Sequence, residues 1–147
     1  MIADPATIAC QIAAIQARIP DYWRDDACQA EAAALWGGGC NPCGVFTNGE
    51  RETIAKLNDS CKAEIVIAES GNGLFSFGIR AEWGMGATAV APSVWREPFG
   101  TRTEARRAAI QDLVAAIADH GSGEMTKQQR LLLAEVRKAN RQRGLFD

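Results

Sequence analysis

Between Lys62 and Val94 the chain carries its one clean alternation of apolar and polar residues, and this stretch narrows the possible folds more than any other. Phe75, Phe77, Ile79, Ala81 and Trp83 alternate with Leu74, Ser76, Gly78, Arg80 and Glu82. A period of two puts three aromatics on one face of a strand, and such a face needs a cover. Upstream, Ala63 to Ala68 reads as a partner strand. Gly71-Asn72-Gly73 between them signals a hairpin, since glycine and asparagine both take positive φ. After Gly84-Met85-Gly86, the run Ala87-Thr88-Ala89-Val90-Ala91 predicts a third, small-residue strand that Pro92 confines to a sheet edge. The stretch therefore predicts a three-stranded antiparallel meander with one apolar face.

The flanking segments read as helices. Asp4 caps a helix beginning at Pro5, with Ile8, Ile12, Ile15 and Ile19 on one stripe until Pro20 closes it. An alanine-rich second helix is expected from Asp21 through Trp36, ended by Gly37-Gly38-Gly39 and packed antiparallel on the first. A short helix is expected from Asn48 to about Leu57, with Glu50 and Glu52 in its favourable first turn. Beyond the meander, Thr101 and Glu104 form a capping box. The helix they open runs to about Ala118, and Ile110, Leu113, Val114 and Ile117 make it the lid of the aromatic face. Thr126 caps a last helix with Leu132, Leu133, Val136 and Ala139 on one side and a basic face opposite. The expectation is a single α+β domain, 1–147. It divides into a helical hairpin (1–36), a cysteine-rich loop and short helix (37–61), a βββα core (62–120) and a C-terminal helix and tail (121–147).

Charge is unevenly placed along the 147 residues: residues 1–100 hold 7 basic and 12 acidic side chains, residues 101–147 hold 9 and 6. Any nucleic-acid surface is therefore expected on the C-terminal helices. No basic start followed by an apolar run marks a signal peptide, and no stretch is apolar for the depth of a bilayer, so the reading is cytoplasmic, without membrane. In that compartment the five cysteines are expected as thiols or metal ligands. Cys40-Asn41-Pro42-Cys43-Gly44 resembles half of a zinc knuckle, and Cys28 and Cys61 are the candidates to complete a four-thiolate zinc site.

No motif for catalysis emerges. Gly84-Met85-Gly86-Ala87-Thr88-Ala89 leads into a strand, so no helix N-terminus awaits a pyrophosphate. One histidine without a serine or cysteine partner gives no nucleophilic triad. A non-enzyme is expected.

The order of short helix, meander and closing helix resembles the double-stranded-RNA-binding domain. That family opens its second helix with Ser-Lys-Lys-x-Ala-Lys-x-x-Ala-Ala; here the place reads Thr101-Arg102-Thr103-Glu104-Ala105-Arg106-Arg107-Ala108-Ala109. The resemblance implies phosphate contacts by Arg102 and Arg106, with Arg107 beside them, while Thr103 departs from the pattern and Gly71-Asn72-Gly73 replaces the family's Gly-Pro-x-His. A nucleic-acid module would add Arg130, Arg137 and Arg141 of the last helix.

The final residues, Gln142-Arg143-Gly144-Leu145-Phe146-Asp147, resemble the peptide by which bacterial polymerases and repair factors dock on the replicative sliding clamp. The likeness implies that Leu145 and Phe146 fill an apolar pocket and Gln142 positions them, with Arg143 where the motif often has an apolar residue. The combined expectation is a small accessory protein in the style of phages and mobile elements, an adaptor or inhibitor of host DNA metabolism or of a host defence complex.

Overall fold

A computed structural model describes residues 3–119 and 124–144, the last three as backbone alone. The chain is α+β. Helices α1 (Pro5–Gln16) and α2 (Asp26–Leu35) precede strands β1 (Glu50–Asn58), β2 (Cys61–Glu69), β3 (Phe75–Trp83) and β4 (Ala87–Val90). Helices α3 (Arg102–Asp119) and α4 (Lys127–Gly144) close the chain. The four strands form one antiparallel sheet in sequence order.

The alternation in β3 has the predicted consequence. Phe77, Ile79, Ala81 and Trp83 are buried on the face shared with Cys61, Ala63, Ile65 and Ile67 of β2. Ile110, Leu113 and Ile117 of α3 and Leu132, Leu133 and Val136 of α4 cover that face, Val114 packing partly against it. Thr101 Oγ1 accepts from Glu104 N at 3.2 Å, the N-terminal half of the capping box. A second core lies at one end of the opposite face, where Ala68 and Leu74 meet Ile8, Ile12, Ile15, Cys28, Ala32 and Trp36.

Four local expectations are corrected. Residues 50–58 form a strand, so the meander gains a fourth member at its edge and the short helix that opened the RNA-binding likeness is absent. The Glu, Lys, Leu and Ala of this segment favour a helix locally. The ladder to β2 and the meeting of Glu50 and Glu52 with α3 override that preference. The second helix starts at Asp26, after a 3-10 turn at Tyr22–Arg24. Ile19 is exposed, because α1 ends at Gln16, a full turn before it. In the β2–β3 connection Gly73 alone has positive φ, 81°. Gly73 N donates to Ser70 O and Ser70 N to Leu74 O, a type I turn completed by a left-handed glycine rather than a mirror-image turn at Asn-Gly.

Helices α1 and α2 are both capped by aspartate. Asp4 accepts from Thr7 Oγ1 (2.6 Å) and Thr7 N (3.1 Å), and Asp25 accepts from Cys28 N (2.9 Å). These bonds to Thr7 and to Cys28 hold both carboxyls below the ordinary carboxylate range. A carboxyl depressed in the folded state stabilises above its unfolded value, about 3.9, and loses that contribution as pH falls through the folded value. Acidification below about pH 4 is therefore expected to weaken α1 and α2, followed by circular dichroism in urea at each pH. Asp25→Asn should retain neutral-pH stability, since asparagine caps about as well, and lose part of the acid sensitivity.

Candidate functional site

The last helix separates charge from the rest of the molecule. Residues 127–144 hold six basic side chains and one acidic, a balance of +5 against −7 for the remainder. Its inner face is Gln129, Leu132, Leu133 and Val136, with Gln129 Nε2 donating to Ile117 O at 2.7 Å. Lys127, Arg130, Arg137, Lys138 and Arg141 are exposed and have no ion pair among the described residues. Among the described residues the last buried side chain is Val136; Ala139 and Asn140 are partly covered, and the backbone stays helical to Gly144. Eight further residues of helix carry the chain about 12 Å past Val136. Gln142 lies in that final turn, its side chain outside the described residues, as are Leu145 and Phe146 entirely.

Two of the three arginines of α3 have other partners. Arg102 donates to Glu50 at 2.7 Å, and Arg106 grips Glu52 with two bonds, Nε to Oε1 at 2.8 Å and Nη2 to Oε2 at 2.6 Å. The fork geometry and partial burial make the second pair an anchor between α3 and β1. Both side chains that the RNA-binding likeness assigns to phosphate are thus tied to an edge strand where a helix is expected from the sequence. Arg107 is exposed, with no ion pair among the described residues.

The cysteines do not assemble as the expected set of four. Cys28 lies in the second core, with α1 and α2, Cys61 in the core between sheet and α3 and α4, Cys40 is half-buried beside the second core and Cys43 is exposed. Among the described residues no three His, Cys, Asp or Glu side chains are grouped to hold a metal. Burial raises the Cys28, Cys40 and Cys61 thiols above their ordinary range. Cys40 and Cys43 flank a turn ordered by Asn41, whose Oδ1 accepts from Cys43 N and Val45 N and whose carbonyl accepts from Gly44 N.

A further candidate, absent from the sequence expectations, lies on the sheet's outer face. A cleft of about 400 Å³ opens there, floored by Val66 and lined by Arg51, Glu64, Arg80 and Ala89, with Phe46 and Pro92 at its walls. Glu64 is 13 % exposed, and its nearest cations, Lys62 and Arg51, stand 3.9 and 4.0 Å away. The alternation that put Phe77 and Ile79 inside also puts Arg80 on this face, which is the signal that could have found it.

No family model, curated protein or solved structure matches this chain. Among the described residues no helix is long and apolar enough to cross a membrane.

Proposed function

We propose that this chain is a non-enzymatic accessory protein of the kind carried by phages and mobile elements, an adaptor or inhibitor that docks a host protein through the carboxyl end of α4. The replicative sliding clamp is the partner whose docking peptide its last residues resemble. The supporting observation is the run of α4 to Gly144, eight residues past Val136, which is its last buried side chain among the described residues; Leu145 and Phe146 follow in the sequence. Glycine costs a helix about 1 kcal/mol relative to alanine, so the final turn opens readily and frees Gln142 to bind in extended form. The +5 balance of α4 speeds encounter with an acidic partner.

Fluorescence polarisation of the full chain against purified bacterial clamp tests this reading. Phe146→Ala should weaken binding about thirtyfold, the loss of an aromatic anchor. Equal binding by both proteins, or none, removes the clamp. The exposed cations of α4, without an ion pair among the described residues, favour a second reading, a nucleic-acid module. Its mark would be an affinity for labelled duplex that falls steeply with salt and is untouched by Phe146→Ala.

A further inference from the structure

We propose that β4 is a second docking edge, built to take an extended, acid-bearing peptide segment of a partner protein as a fifth strand. The register of the β3–β4 hairpin identifies the groups that would receive it. Trp83 N donates to Gly86 O at 2.9 Å, and the alternation of an antiparallel ladder then makes Ala81–Thr88 and Ile79–Val90 the hydrogen-bonded pairs. Ala87 and Ala89 therefore turn their N–H and C=O groups away from β3, toward the open edge. Among the described residues no backbone group meets them there.

Free edges in stable proteins are blunted by charge, proline or bulges, and the two edges of this sheet differ in that respect. On β1, Glu50, Arg51, Glu52 and Lys56 line the edge, and two register shifts interrupt its ladder. On the opposite edge, Ala87-Thr88-Ala89-Val90-Ala91 has no charge, no proline before Pro92 and an unbroken register with β3. One edge is guarded and the other is left open for a strand.

Charge selects the occupant. Arg80 pairs in register with Ala89, is exposed and has no ion pair among the described residues. A residue added opposite Ala89 would stand about 5 Å further out on the same face, within reach of the Arg80 side chain across the short alanine methyl. A carboxylate there completes a pair that nothing on β4 supplies. The sheet's outer face carries Arg51, Lys56, Lys62 and Arg80 against Glu64 and Glu82, so it is locally basic. A second copy of β4 would bring no acid and would set two such faces side by side, which disfavours self-pairing.

The test uses the full chain and a short labelled peptide alternating threonine and valine around one central glutamate, with a lysine counterpart. The glutamate peptide should bind, and hydrogen exchange should slow at the amides of Ala87 and Ala89 but not at Thr88 and Val90. Ala89→Pro should abolish binding; its N–H faces outward, so proline removes no ladder bond. Arg80→Glu should weaken the glutamate peptide about tenfold and reverse the preference toward the lysine peptide. The proposal is overturned if the glutamate peptide fails to bind the unsubstituted chain, or if both peptides bind equally. It is likewise overturned if Ala89→Pro binds undiminished, or if sedimentation finds a dimer that Ala89→Pro converts to monomer.

Discussion

Trp36→Ala is expected to lower the free energy of unfolding by about 3–5 kcal/mol, the cost of removing a fully enclosed indole from a packed core. Trp36 is 0 % exposed, donates its Nε1–H to Val94 O at 2.9 Å and meets the Phe46 ring edge-on at a centroid distance of 5.2 Å. Truncation opens a void among Ile15, Leu74 and Val94 and leaves a buried carbonyl without its donor. A domain of ordinary stability holds about 5–15 kcal/mol, so this single change removes a third or more of it. Urea unfolding followed by circular dichroism measures the loss. The control is Trp23→Ala: Trp23 is 52 % exposed, with Arg24 over its ring, and its removal should stay within about 0.5 kcal/mol. Similar losses for both tryptophans would mean that the helical pair does not pack on the sheet as described.

Gly71→Ala should be nearly as damaging, at about 3 kcal/mol, through overpacking and lost hydrogen bonds. A Cβ at Gly71 would lie 1.9 Å from Gly37 O, a backbone atom that cannot swing aside. The close approach exists because the β2–β3 turn finishes the end of α2. Leu35 O accepts from Asn72 Nδ2, Trp36 O from Asn72 N and Gly38 O from Gly71 N. Gly38 N returns to Ala33 O and Gly37 N to Ala34 O, so helix end and hairpin satisfy one another's polar groups. Gly73, two residues on, separates sterics from backbone preference: its φ is 81° and nothing lies within 4 Å of an added Cβ. Gly73→Ala should cost only the left-handed conformation, about 1 kcal/mol. Hydrogen exchange at Gly71 and Asn72 would report the parting of α2 from the turn in the Gly71 variant; unchanged protection there would sink the account.

Much of this was open to reading in the residues themselves. The faces of β2 and β3, the caps at Asp4 and Thr101 and the inward stripes of α3 and α4 follow from periodicity and end chemistry, which act over a few neighbours. The basic face of α4 and the apolar pair at the chain's end are visible in the same way.

The remaining features depend on residues distant in sequence. Glu50 to Asn58 has the composition of a short helix and becomes a strand because β2 offers a ladder and α3 offers Arg102 and Arg106. The cysteines look like one set by spacing, yet Cys28 and Cys61 fall in two cores on opposite sides of the sheet and Cys43 is exposed. Gly71 reads as a turn residue, while its indispensable feature is the room it leaves for Gly37, 34 positions earlier. Local sequence set which way each side chain faces along its own element. Pairing across the sheet decided what each face meets, because a hydrogen-bond ladder and a buried contact gain their free energy only when both partners are in place.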